Sequence, residues 1–315
     1  MAVIPTGVME LRGLAEALQQ LFPGHEFYSV PRVLPRPGKE AEPFDQSNTY
    51  RVSAAPIEEG LKTNRTTLVQ ILAGSVFPPG PRAADLALVL DDLELFNLDQ
   101  PEVVVEAVRS TVRAHLNKQA PEVARELGQC LRARASYHLA VPMTESWLFA
   151  DPRGPINSGA PSAEAVRLKP GIDPEQFETE DADYSADTGA SCAQLLDRNR
   201  RRHENRKPPW VLAPQPYPWC TRERHPKAYL QWLLRDPEEN SCTRWKEGKQ
   251  GAESLRKLDW SAALSNPNHC TWVRALVDDL ADGLGEPFPV PGAAVQCAPL
   301  TSRKRHGINA VLRNL

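Results

Sequence analysis

No uncharged apolar run in this sequence approaches the roughly 20 residues that a membrane-spanning helix requires. No basic residue precedes the first apolar stretch, and Glu10 interrupts that stretch early, so no secretory signal is expected. A cytoplasmic protein without membrane contact is therefore expected. No C-x-x-C pair occurs among the six cysteines Cys130, Cys192, Cys220, Cys242, Cys270 and Cys297. Reduced, mostly buried thiols are the expectation. A zinc set of Cys220, Cys242, His269 and Cys270 lacks the short paired spacing usual for such sites. There is also no excess of positive charge: the formal net charge is −3. Any contact with nucleic acid must then use a local basic patch, not a global field. Internal repeats are absent. Proline, by contrast, is plentiful at 30 of 315 residues, about twice the usual share, and marks long loops.

The pattern predicts an α/β fold. Residues 1–5 (MAVIP) read as a strand, with Thr6 placed to cap the following helix. In that helix Leu11, Leu14, Ala15, Leu18 and Leu21 form one apolar face, and Pro23-Gly24 ends it. A second strand is expected at 26–30 and a long loop at 31–65. The compact apolar run at 85–90 (DLALVL) suits a strand covered on both faces. Pro101 then opens a helix with Val104, Val105, Val108, Val112 and Leu116 as its buried stripe. A helix at 121–133 leads to another buried strand at 137–142. Strand, helices, strand is a crossover unit with parallel strands. Three parts are expected: an α/β core at 1–150, a Pro-rich charged linker or insertion at 151–215, and a helical part at 216–315 packed on the core. In the last part, Trp272, Leu276, Leu280 and Leu284 recur every four residues.

Ligands in open α/β sheets bind beyond the C-terminal strand ends. Asp91, Asp92 and Glu94 leave one strand at that edge, Glu145 follows a second, and Glu10 lies just past the first. Adjacent strands would bring all five acids to one crevice, where mutual repulsion is costly unless a hard cation relieves it. Mg²⁺ (or Mn²⁺) takes oxygen ligands and needs only one or two carboxylates besides water and substrate phosphates. It can polarise a phosphoryl oxygen and activate water. Against this stands the ordinary role of such acids as helix caps or solvated loop residues.

The segments TGVMELRGLAEAL, LALVLDDLEL and LAVPMTESWLFADP resemble, in order, the Toprim fold shared by topoisomerases, primases and OLD-type nucleases. They are similar above all to uncharacterised bacterial Toprim-like proteins that accompany ATPases of defence systems and mobile elements. HPKAYLQWLL and RWKEGKQGAESLRKLDW resemble the C-terminal part of that family. About half of the chain is covered, and residues 31–84 and 151–215 are not. The resemblance implies a Mg²⁺-dependent nuclease or phosphotransfer protein acting on nucleic acid. Glu10, Asp91, Asp92 and Glu145 would be catalytic, and Asp91, Asp92, Glu94 and Glu145 would hold the metal. Thr6 stands where the family pattern has its first glutamate, and the D-x-D segment reads Asp91-Asp92-Leu93-Glu94. These departures keep a second reading open, a catalytically degenerate binding or scaffold subunit for a partner ATPase.

The run at 198–207 carries six Arg or Lys residues among ten, and Arg200, Arg201 and Arg202 could track phosphates. A solvated face beside the acidic stretch 173–187 is the plainer reading. Lys227 and Lys246 resemble family lysines and could meet a substrate phosphate as point charges. His225 is a general-base candidate or a helix cap, with capping favoured. The tryptophans of the C-terminal half are expected as core anchors more than as base-stacking platforms.

Overall fold

A computed structural model describes residues 1–49, 51–53, 59–80, 83–187, 217–235, 245–290, 296–302 and 309–315 of the chain. Four parallel strands form one sheet: β1 (Ala2–Pro5), β2 (Tyr28–Ser29), β3 (Ala87–Asp92) and β4 (Ala135–Ala140), in the order β2-β1-β3-β4. Val3 pairs with Leu88, Pro5 with Leu90, and Asp92 with Ala140, so β1, β3 and β4 all end at one edge. β1, β3 and β4 are buried throughout, which explains why they read as continuous apolar runs without alternation.

Successive side chains of a strand face opposite sides, and two cores result. Val3, Leu88, Leu90 and Ala140 pack with α1 (Val8–Leu21) and the helical C-terminal part. Ala2, Ile4, Ala87 and Val89 pack on the other side, against α2 (Glu59–Val76), α3 (Pro101–Asn117) and α4 (Pro121–Arg134). The valine stripe of α3 is buried at Val104, Val105, Val108 and Val112. In α1, Leu14 and Leu18 are fully buried, each contributing about 1.5–3 kcal/mol by leaving water.

The structure shifts several expected boundaries. β3 and β4 each lie two residues from the expected positions, so Asp91 and Asp92 end β3 rather than follow it. α2 begins inside the stretch read as loop. Thr6 does not cap α1: the N-cap is Gly7, and the Thr6 hydroxyl donates to Asp91 Oδ1 at 2.9 Å.

The stretch read as a linker enters the core at Phe177 and Tyr184. Its acidic run is also put to structural use, because Glu175 accepts from the backbone N–H groups of Trp272 and Val273. It thereby caps a helix nearly a hundred residues away. The C-terminal part includes the helices α5 (Pro226–Leu233), α6 (Ala252–Arg256) and α7 (Thr271–Leu284). Trp232, Trp245 and Trp260 are buried core anchors, as expected. No described helix is long and apolar enough to cross a membrane.

Candidate functional site

The sheet edge separates the two aspartates of β3. Asp91 shares its side with Ala87 and Val89, Asp92 with Leu88 and Leu90. Asp91 is fully buried and saturated. Its Oδ1 accepts from Thr6, and its Oδ2 accepts from Ser47 Oγ at 2.6 Å, Tyr137 Oη at 2.8 Å and Asn48 Nδ2 at 3.1 Å. Burial raises its carboxyl above the ordinary range, and the hydroxyls of Ser47, Tyr137 and Thr6 pull against that rise. Asn48 in turn accepts from Asn97, which also receives the Val52 N–H. Asp91 is thus the hub that fastens Ser47 and Asn48 at the sheet edge. Its oxygens are committed to five donors, the Ser47 N–H included.

The remaining acids meet on the other side of the sheet. Glu10 lies in the first turn of α1, and a Cβ at Gly7 would land on its Oε2. Only glycine lets this carboxylate fold back over the helix start. Asp92 accepts from the Thr144 N–H at 3.0 Å and from Gln46 Nε2 at 2.8 Å. Glu145 sits one residue on, in the 3-10 turn Thr144–Phe149 that follows β4. Glu94 is half-buried at φ 64°, a left-handed backbone value that non-glycine residues rarely adopt. Its N–H donates to Pro142 O and its carbonyl accepts from Asn97, so the surroundings impose that geometry.

Two residues from the C-terminal part complete the group. Lys227, in the first turn of α5, puts its Nζ 2.5 Å from Glu247 and 3.8 Å from Glu145. Glu247 begins the π-helical turn Glu247–Gly251, which rests on α1: Arg12 donates to Gly248 O at 3.0 Å. Sequence reasoning missed Glu247, which belongs to a solvent-like polar run (WKEGKQ) with no local sign of a partner.

These carboxyls are costly to ionise together. Burial raises Glu10, with a Thr144 hydrogen bond opposing it. Burial raises Asp92 strongly, and the charges of Glu10, Glu145 and Glu94 add to it. Glu94 is pushed up to about 7 and Glu145 to about 8, in both cases by burial, while Lys227 holds them down in part. Lys227 itself rises, because Glu247, Glu145 and Glu94 outweigh its burial. The group can therefore exchange protons near neutrality, and it carries five acids against this one ammonium.

His225 is the N-cap of α5: its Nδ1 accepts from the Ala228 N–H at 3.1 Å. Burial first, and Lys227 second, push its ring down to about 3, so it stays neutral there and the capping role holds. Lys246 is exposed, one residue before Glu247. Arg200, Arg201, Arg202, Trp210, Cys192 and Cys242 lie outside the described residues. Of the zinc set, Cys242 lies outside the described residues, Cys220 packs with Leu95 and Phe96, and Cys270 belongs to the core around α7.

Among the described residues, no three His, Cys, Asp or Glu side chains are already arranged to grip a metal ion. Glu10, Asp92, Glu94 and Glu145 nonetheless fit a hard divalent cation by donor type and by excess charge. Glu94 and Lys227 are half-buried, whereas Glu10, Asp92 and Glu145 are buried. No family model, no curated protein and no solved structure matches this chain.

Proposed function

We propose that the chain is a cytoplasmic, Toprim-like protein that uses this crevice to act on a phosphodiester of nucleic acid with Mg²⁺ or Mn²⁺. One observation carries the reading. Acids from three separate segments (Glu10 on α1, Asp92 and Glu94 at β3, Glu145 after β4) meet at the C-terminal strand edge with a charge excess that Lys227 does not offset. Glu10, Asp92 and Glu145 would hold the ion, with Glu94 at the mouth. When bound, the ion supplies a Lewis acid to a phosphoryl oxygen and neutralises developing charge. Thr144 and Gln46 orient Asp92. Lys227 would meet the substrate phosphate as a point charge. Arg200, Arg201 and Arg202, with exposed Lys246, supply positive charge for the rest of a strand.

A second reading is favoured by Thr6. Its hydroxyl, which stands where the Toprim pattern has a glutamate, is spent on Asp91. The protein would then be a degenerate, non-cleaving subunit that binds nucleic acid or a partner ATPase. Supercoiled plasmid incubated with Mn²⁺ separates the two. Nicking by wild type that is abolished in Asp92→Asn supports the enzyme. Absence of nicking at every metal concentration, with plasmid binding retained, supports the subunit.

A further inference from the structure

Edge strands offer unpaired backbone groups to any other extended chain, and proteins blunt them by shortness, charge, proline or a covering segment. The two edges of this sheet differ in this respect. β2 has only two residues, Tyr28 and Ser29. β4 has six, and its sequence ASYHLA contains no lysine, arginine, acid or proline. Left bare it would be a pairing surface, yet all six residues are buried. Segment 311–315 covers it. The Arg313 N–H donates to Ala135 O at 2.8 Å, and the Arg313 guanidinium to Ala133 O, at the end of α4, at 3.3 Å. The Asn314 side-chain amide accepts from the Tyr137 N–H at 3.1 Å and donates to Tyr137 O at 2.8 Å. One amide side chain thus makes both bonds that the backbone of a fifth strand would make there.

The covering segment does not become a new edge, because it closes on itself: the N–H groups of Val311 and Leu312 donate to Leu315 O at 2.7 and 3.1 Å. Its side chains clamp it down. Val311, Leu312 and Leu315 are buried in the core on the α2, α3 and α4 side of the sheet. Arg313 donates to buried Asp279 and to Asp282, both on α7 and both at 3.1 Å. Gly283 makes room for the guanidinium, since a Cβ there would stand 2.9 Å from Nη2. His138 of β4 meets the other carboxylate oxygen of Asp279 at 3.1 Å. We propose that segment 311–315 is a plug that closes the β4 edge against a second copy of this chain, with Asn314 as the strand surrogate and Arg313 as the lock. Symmetry names the occupant. Two β4 edges related by a two-fold axis run antiparallel, and each fills the outward N–H and C=O groups of the other.

Asn314→Leu roughly keeps the volume and removes both bonds to Tyr137. Sedimentation velocity and hydrogen exchange of the 135–140 amides, each over a series of protein concentrations, test the plug in the full chain. At low concentration the β4 amides of Asn314→Leu are expected to exchange about tenfold faster than those of wild type, the effect of losing two ordinary hydrogen bonds. As concentration rises, the variant is expected to form dimers and its β4 amides to slow again, whereas wild-type β4 exchange is independent of concentration. Asp282→Asn loosens Arg313 only at its half-exposed partner, and a smaller change in the same direction is expected. Should Asn314→Leu fold and sediment as wild type does at every concentration, the proposal is overturned. Where Asn314→Leu does not fold, the same result for Asp282→Asn overturns it. Dimers whose β4 amides stay fast overturn it too, because the contact then lies elsewhere.

Discussion

Asp91 and Asp92 are neighbours in sequence and opposites in role, because a strand turns successive side chains to different faces. Asp91 feeds five donors in a sealed network. Asp92 faces the acids. Asp91→Asn leaves several buried donors competing for one carbonyl oxygen. It is expected to cost about 2–4 kcal/mol of stability, because breaking a buried charged network strands its partners. Asp92→Asn relieves like-charge repulsion and is expected to leave stability unchanged or slightly raised while abolishing the metal response. Chemical denaturation of both variants measures the contrast, and equal losses would remove the distinction. Glu145 adds a pH dependence of definite sign. Its folded pKa of about 8 lies above the ordinary 4.5, so the folded state holds the extra proton between those values. Its ionisation therefore destabilises the metal-free fold as pH rises from about 4.5 to about 8. Glu145→Gln mimics the protonated acid. Its melting temperature relative to wild type is expected to climb as pH rises from 5 to 8.5 without metal. A gap that shrinks with pH would contradict this.

At the scale of elements, periodicity carried most of the helices and strands. The stripe of α3 and the apolar face of α1 were legible because burial of one helix side imposes a 3.6-residue repeat. The boundaries of β3 and β4 were less legible. A carboxylate pair looks like the end of a strand, and only the donors from Thr6, Ser47, Asn48 and Tyr137 make room for Asp91 inside one. These donors come from three other segments, which no local window contains. α2 was hidden by a polar, Thr- and Asn-bearing start (LKTNRTT) that resembles loop composition. The convergence of Glu10, Asp92 and Glu145 was readable from strand order alone. Glu247 was not, because the π-helical turn that delivers it is placed by packing on α1. That packing is tight: a Cβ at Gly13 would approach Ala252 O within 2.6 Å. Gly7 tests how far the first turn of α1 serves the site. Gly7→Ala forces the Glu10 carboxylate aside. A loss of at least tenfold in Mn²⁺ affinity is expected, with stability changed by only about 1 kcal/mol, as is usual for substitutions at a cap position. Isothermal titration with Mn²⁺ checks the first figure and urea denaturation the second.

Over the whole molecule, one sheet edge serves two ends. On one side it anchors Ser47 and Asn48 through Asp91, and on the other it concentrates charge that the C-terminal part only partly neutralises. The α/β class and the packing of a helical C-terminal part on the sheet followed from the sequence, because buried parallel strands need helices on both faces. Both cores draw on residues far apart in the chain, so the site should respond to cations as part of one folded body. The most direct measurement is thermal unfolding under Mg²⁺ and Mn²⁺ titration of wild type, Asp91→Asn and the double variant Asp92→Asn/Glu145→Gln. Ligand linkage gives about 2.7 kcal/mol of stabilisation at a hundredfold excess over Kd. Wild type and Asp91→Asn are expected to gain this stabilisation, each from its own baseline, and the double variant to gain none. Equal shifts in all three proteins, or no shift in wild type, would contradict a divalent cation held by Glu10, Asp92 and Glu145.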